Sequence, residues 1–236
     1  MASPRPVFVH GAGGGRGVWA LQERRFEGAG VVALPGHPAG EPLDSVEASA
    51  EWLAEAMAEA VPPPRALVGH GLGASVALCA AVEHPDLVDG LVLLGAAATL
   101  PVGDDAVTRA REDYRAEAER LVRASLAHPS TALLERTIAL VVESGQEALE
   151  ADYAASRTFD AGALLDRVTQ PALVVSGGRD AVTPLAATES LARSLPAALM
   201  VVVPEAGHLV MLEQPGPVNL LIAGYLARLE LTLDEE

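Results

Sequence analysis

Six short apolar runs punctuate the chain, at Val7–Val9, Val31–Leu34, Ala66–Gly69, Leu91–Gly95, Ala172–Ser176 and Leu199–Val203. Each is nearly continuous in valine, leucine and alanine rather than alternating with polar residues. That is the pattern of a strand buried on both faces of a parallel sheet. Stretches of helical period separate them. Between Ser45 and Ala60, the residues Trp52, Leu53, Ala56, Met57 and Ala60 fall on one face, and Pro62-Pro63-Pro64 stops that helix. An alanine-rich run from Ala74 to Val82 predicts a helix that ends at His84-Pro85. Val18-Trp19-Ala20-Leu21 opens another, closing near Gly28 or Gly30, and Thr183-Pro184 begins one that reaches Leu195. The last runs from about Pro217 to Leu229, leaving Thr232 to Glu236 as a frayed acidic tail. This alternation predicts an α/β fold: a mostly parallel sheet of about six strands flanked by helices.

The rhythm breaks between residues 101 and 166. That segment is helical in period, carries no strand-like run and is charged along one side (Arg109, Arg111, Glu112, Asp113, Arg115, Glu117). It predicts a small helical cap of two to four helices, inserted into a core made of residues 1–100 and 167–236. Its apolar residues, among them Leu126, Leu133, Ile138 and Val141, either cover the mouth of a site or pack on one another, and both readings stand open. No period of 20–50 residues recurs, which excludes a repeat architecture.

Composition narrows the partners. Half of the 236 residues are apolar, enough for a substantial core, and 32 acidic residues against 16 basic ones give a formal charge of −16. Such a surface repels phosphate backbones and anionic headgroups, so nucleic acid and membrane surfaces are disfavoured as partners. The single cysteine, Cys79, leaves no internal disulfide and no cysteine metal cluster, and its place two helical turns past Gly71 marks it as core filling. The first residues lack the charged-then-apolar pattern of an export signal, and no apolar run approaches the ~20 residues of a membrane span. The expectation is a soluble, cytoplasmic protein.

The chemistry-bearing residues gather where strands end. His10-Gly11-Ala12-Gly13-Gly14-Gly15 follows the first strand, Leu34-Pro35-Gly36-His37 closes the second, and Gly69-His70-Gly71-Leu72-Gly73 ends the third. Gly177-Gly178-Arg179-Asp180 leads to Pro184 after the fifth, and Ala206-Gly207-His208 follows the sixth. The first loop could cradle a phosphate, but it lacks the lysine and hydroxyl of a P-loop. The five segments, in this order, resemble the α/β-hydrolase family: an H-G-x-G oxyanion loop, an L-P-G-H turn, a G-x-S-x-G nucleophile elbow, an acid loop and a histidine loop. The resemblance spans Val7 to Leu229. Two features depart from it. Gly71 stands where the family has its attacking serine, and the family's two opening antiparallel strands are missing.

The resemblance implies roles residue by residue. His208 would be the general base and Asp180 the carboxylate that orients it, with the backbone N–H groups of Ala12 and Leu72 forming an oxyanion hole around the nucleophile position, Gly71. It implies no cofactor and no metal, and a small, mostly apolar ester or carbonyl substrate. His10 reads as a brace for the oxyanion loop, and His70 as an elbow residue whose side chain points away from the reacting centre. His37, His84 and His128 read as loop or helix-end residues whose spacing suits no metal. Ser75 lies one turn inside the elbow helix, Thr183 and Ser176 border the acid loop, and Cys79 lies too deep, so none replaces the missing hydroxyl.

Elbow backbone angles strain a side-chain-bearing residue by about 1–3 kcal/mol, whereas glycine adopts them freely. Gly71 therefore keeps the corner while deleting covalent catalysis, a loss of about 10⁶ in turnover in a hydrolase where it has been measured. Three readings stand open: an ester hydrolase whose serine was replaced, an enzyme in which His208 and Asp180 work without a covalent step, and a ligand-binding protein on the same scaffold.

Overall fold

The computed structural model describes residues 3–235. Six strands, β1 (Arg5–Val9), β2 (Gly30–Val32), β3 (Arg65–His70), β4 (Gly90–Leu94), β5 (Ala172–Gly177) and β6 (Ala198–Val203), form one sheet in the order β2-β1-β3-β4-β5-β6. Every pairing is parallel. Register sets Val9 beside Gly69 and Gly69 beside Leu93, so the C-terminal ends of β1, β3 and β4 lie level. The crevice beyond those ends is where open α/β sheets place their ligands.

The helices are α1 (Ala20–Glu23), α2 (Val46–Ala60), α3 (Leu72–Glu83), α4 (Ala106–Glu112), α5 (Tyr114–Ser125), α6 (Thr131–Ser144), α7 (Gln146–Thr158), α8 (Leu185–Ser194), α9 (Val210–Glu213) and α10 (Pro215–Glu235). Successive residues of each strand point to opposite faces, and both faces are covered in β1, β3, β4 and β5; the run at Leu199–Val203 departs from expectation, because β6 is the sheet edge and leaves Leu199 49% and Val202 38% exposed. Val7, Val9, Leu67, Leu91 and Leu93 pack with Leu53 and Met57 of α2 and with α3. Phe8, Val68, Val92 and Leu94 pack on the other side with Trp19, Met211, Val218 and Ile222. Burial on two sides is why the four inner strands read as unbroken apolar runs. Side-chain oxygens cap several helix starts: Ser45 accepts from Ala48 N–H, Asp113 from Ala116 N–H and Ser130 from Leu133 N–H.

Four boundaries differ from the sequence expectation, each for a packing reason. The first helix is a 3-10 turn at Arg16–Trp19 followed by only four α-helical residues, because Phe26 turns inward to stack on Phe8 at 6.0 Å. Strand β2 stops at Val32, and the Leu34 N–H donates to His10 Nε2 (3.0 Å) instead of to the sheet. Helix α3 starts at Leu72, two residues before the alanine run, because the chain reverses on Gly71 alone. Helix α10 continues to Glu235, through most of the expected frayed tail, because Leu229 is buried and Leu233 packs on the same cluster. Glu236 lies outside the described residues.

Between β4 and β5 the chain forms α4 to α7 and two 3-10 turns, Ala161–Ala163 and Leu165–Arg167, closed at the base by an antiparallel bridge between Thr99 and Asp160. This insertion has no separate core of any size. Val122, Leu126 and Val141 join the cluster of Leu209 and Met211, while Ala106, Ala110, Leu149 and Tyr153 form a small cluster against Ala12. Its charged side is not all solvated either, since Glu117 is buried. Among the described residues no helix is long and apolar enough to cross a membrane.

Candidate active site

Strand β3 delivers the chain into a corner at Gly71, where φ is +52° and ψ −116°, and α3 begins at the next residue. The Gly71 N–H donates to Leu94 O at 3.0 Å, which ties the corner to β4. The flanking glycines have a steric cause: a Cβ on Gly69 would collide with Gly73 O, and one on Gly73 with the carbonyls of Val9 and His10. A Cβ on Gly71 would instead enter a cavity, 3.2 Å from His208 Nε2 and 3.9 Å from Gly11 Cα.

The other two expected residues meet there. Asp180 Oδ1 accepts from the N–H groups of Val182 (2.9 Å) and Thr183 (2.7 Å), which locks the carboxylate in the loop after β5. Its Oδ2 lies 2.9 Å from His208 Nδ1, with side-chain exposures of 0% for Asp180 and 10% for His208. That pairing places the proton on Nδ1 and turns Nε2 toward the corner. The acid and histidine loops touch so closely that a Cβ on Gly177 would collide with the carbonyls of Ala206 and Gly207. Ala12, Gly71, Leu72 and His208 all line one cavity of about 560 Å³, walled mainly by apolar side chains such as Val18, Leu121, Val141, Val182 and Leu209. Among the described residues, neither the Ala12 N–H nor the Leu72 N–H meets an acceptor of the chain.

Two histidines depart from expectation. His70 does not point away from the centre. Its ring packs on that of His208 at 4.5 Å, it lines the same cavity, and its Nε2–H donates to His208 O at 3.0 Å. Burial first, and the facing His208 second, hold its pKa well below 6.5, so it stays neutral and braces His208. His37 is no ordinary loop residue. Its Nε2 lies 2.9 Å from Asp152 Oδ2 of α7, with side chains 1% and 4% exposed, and the same Oδ2 accepts the Gly13 N–H at 2.7 Å. Burial pulls the His37 pKa down, but the hydrogen bond and charge of Asp152 outweigh it and leave the value raised. His10 is fully buried between Leu34 N–H and Gly11 O, and desolvation, with the neighbouring His37 charge, lowers it to about 4.

Four further residues shape the site without a sequence signal that singles them out. Gly95, at φ +56°, lies under the His208 ring: a Cβ there would be 2.8 Å from His208 Nδ1. Glu213 accepts from Gly207 N–H (2.7 Å) and Ala127 N–H (2.8 Å), pinning the histidine loop to the insertion. Glu117, beside the cavity, binds Arg109 Nε (2.9 Å), Arg120 Nε (2.7 Å) and Tyr153 Oη (3.0 Å). Burial acts to raise its pKa, yet the two arginines bring it to about 2. Asp152 is the fourth. The alternative nucleophiles stay out of place: Ser75 and Cys79 are buried in α3 away from the cavity, and the Ser176 hydroxyl donates to Gly177 O. Thr183 does reach the cavity wall, with a buried hydroxyl that has no partner. His84 pairs with Glu51 at 2.9 Å, and His128 is exposed. Among the described residues no three His, Cys, Asp or Glu side chains gather to hold a metal ion.

Known proteins carry the same plan. The chain is 31% identical over 228 residues to a pimeloyl-[acyl-carrier protein] methyl ester esterase of Neisseria meningitidis serogroup C, covering 88% of this chain and 87% of that one. It is 32% identical over 247 residues to the protein of the same name in Aromatoleum aromaticum, covering 94% and 98%. Among solved structures, the enol-lactonase of Burkholderia xenovorans superposes with a TM-score of 0.89 over 96% of this chain and 92% of that one, at 19% identity, a likeness of fold. The alpha/beta hydrolase family profile matches residues 7–219, and with the sheet order, the corner and the strand-end loops already in place, this chain belongs to that family.

Proposed function

We propose that the site is built for acyl transfer on a small, mostly apolar carboxylic ester, and that as it stands the chain is nearly silent by the acyl-enzyme route. The observation that carries this reading is the 3.2 Å between His208 Nε2 and the place of a Cβ on Gly71. A serine hydroxyl there would sit in hydrogen-bond reach of Nε2, with Asp180 behind the ring, so the base and acid stand around an absent nucleophile. Ala12 and Leu72 line the same cavity, and in this reading their N–H groups serve as oxyanion donors. Residues 101–166 act as a cap over residues 1–100 and 167–236, and their apolar side chains hold the acyl part. The relatives named as methyl ester esterases support an ester at the end of an aliphatic chain as the substrate class. The reaction needs neither cofactor nor metal.

The test is Gly71→Ser. Cleavage of short aryl and methyl esters should rise by several orders of magnitude, up to the ~10⁶ attributed to such a serine. The melting temperature should fall slightly, since a side chain at φ +52° is strained. No gain on any ester of an acyl-length panel would refute the reading. A second reading, favoured by the intact Asp180–His208 pair, is general-base activation without a covalent step. It requires slow turnover by the native chain that disappears in His208→Ala; equal rates in the two would exclude it.

A further inference from the structure

Resting on the reading of the Ala12 N–H as an oxyanion donor, we infer that Asp152 is a positioning residue for that donor. From α7 of the insertion, its carboxylate fixes the turn that aims the Ala12 N–H at the space over Gly71. The insertion thereby contributes to the geometry of catalysis, beyond walling the cavity.

The turn is Gly11-Ala12-Gly13-Gly14, closed by the Gly14 N–H on Gly11 O at 2.9 Å. Gly13 has φ +65°, and among the described residues only glycines have a positive φ. A positive φ at the third residue but not the second makes this a type II turn. The same four residues also suit a type I turn, since glycine adopts either sign of φ. The two forms share the closing bond and differ by a half-rotation of the Ala12–Gly13 peptide. Asp152 decides between them: its Oδ2 accepts the Gly13 N–H at 2.7 Å. In the rotated form the Ala12 carbonyl oxygen would take the place of that N–H and face the carboxylate. A charge-assisted hydrogen bond would give way to repulsion between oxygens. The peptide that carries the Ala12 N–H is joined to the rotating one at the Ala12 Cα. A central peptide free to turn lets the donor rock, and a pinned one holds its direction.

The carboxylate is itself held in place. Asp152 is buried, and the same Oδ2 lies 2.9 Å from His37 Nε2, whose ring is anchored through Nδ1 by the carbonyls of Leu34 and Pro35. Both nitrogens of that ring face accepting oxygens, so the ring carries a charge that matches the carboxylate. Asp152 therefore aims the turn without setting an unbalanced negative charge behind the place of the oxyanion. A second helix grips the next residue, since the Ser144 hydroxyl of α6 donates to Gly14 O. Apolar contacts close on the turn as well: a Cβ on Gly13 would stand 3.0 Å from Leu149 Cδ1 and 3.1 Å from Val141 Cγ1.

The test uses the full-length chain with Gly71→Ser, whose turnover of p-nitrophenyl butyrate is followed by absorbance well below the melting temperature. Adding Asp152→Ala should lower kcat by about 10²-fold, in the range for loss of an oxyanion donor, and leave KM within about threefold. Asp152→Asn keeps an oxygen for the Gly13 N–H and should recover kcat to within about tenfold of the parent. A role in stability alone would lower the melting temperature of Asp152→Ala and leave kcat of the folded protein where it was. If Asp152→Ala does not fold, His37→Gln combined with Asp152→Ala removes the acceptor without stranding a charged ring, and it decides instead. A kcat within about threefold of the parent, a loss carried by KM alone, or Asn no better than Ala would overturn the inference. Gly71→Ser by itself separates the two failures. If it is active and indifferent to Asp152→Ala, the positioning role falls and the acyl-transfer reading stands. If it is silent, both fall.

Discussion

Replacing Asp152 by alanine should destabilise the chain in a pH-dependent way, and the size follows from its contacts. Asp152 Oδ2 accepts from Gly13 N–H (2.7 Å) and faces His37 Nε2 (2.9 Å), while His37 Nδ1 is held by the carbonyls of Leu34 (3.1 Å) and Pro35 (3.3 Å). Both ring nitrogens thus face oxygens that accept, which requires an N–H on each: a buried imidazolium against a carboxylate. Removing one partner of such a pair costs about 3–5 kcal/mol while the other stays charged. The His37 pKa is raised in the fold, so its contribution is fully present below 6.5 and is lost as pH rises through the raised value. In Asp152→Ala only the carbonyls of Leu34 and Pro35 still oppose burial, so the His37 imidazolium loses its main support. The difference between native and variant should therefore be about 3–5 kcal/mol near pH 6. It should shrink toward the about 1–3 kcal/mol of an unsatisfied Gly13 N–H near pH 9. Urea denaturation followed by circular dichroism at the two pH values measures it. A difference that is equal at both, or below about 1 kcal/mol at the lower, would refute the charged pair.

Gly95→Ala puts a Cβ 2.8 Å from His208 Nδ1. It should cost about 1–3 kcal/mol by overpacking and abolish the esterase gain of Gly71→Ser when the two are combined, as an ester assay of the double variant would show. Tyr225→Phe removes a hydroxyl that accepts from Leu91 N–H (2.9 Å) and donates to Pro171 O (2.7 Å), but those two groups also bond each other at 3.0 Å, so thermal melts should show a loss of only about 0.5–1.5 kcal/mol. On the acid side, His10 folds with its pKa lowered from 6.5 to about 4, so the unfolded chain takes up the proton first. Stability should fall as pH drops from 6.5 to about 4, by about 3 kcal/mol from His10 alone, visible as a declining urea midpoint; a flat midpoint over that range would contradict it.

The sheet and the strand-end loops were legible because their causes are local. Glycines at 69, 73 and 177 permit backbone contacts that no side chain allows, and continuous apolar runs mark the four inner strands, covered twice, though the run of β6 lies at an exposed edge. What escaped depends on partners far apart in the chain. Asp152 lies 115 residues from His37 and Glu213 lies 86 from Ala127, and on a helix such acids look like any solvated carboxylate. Glu117 was hidden in the same way, among charges that do face water. The short α1 was misread because Gly28 and Gly30 resemble a helix stop, although Phe26 had already been drawn to Phe8. The His70 orientation depends on the His208 carbonyl, which only the folded loop brings near.

The insertion is stitched to the site loops at several points. Asp152 holds Gly13 N–H, the Ser144 hydroxyl donates to Gly14 O, Leu209 N–H donates to Ser125 O, and Glu213 joins Ala127 to Gly207. An insertion tied at these points is coupled to the loops that carry Gly13 and His208. Pro101, Val102, Gly103 and Asp105 wall the same chamber, so a change in the insertion alters the space in front of Gly71 as well as its own helices.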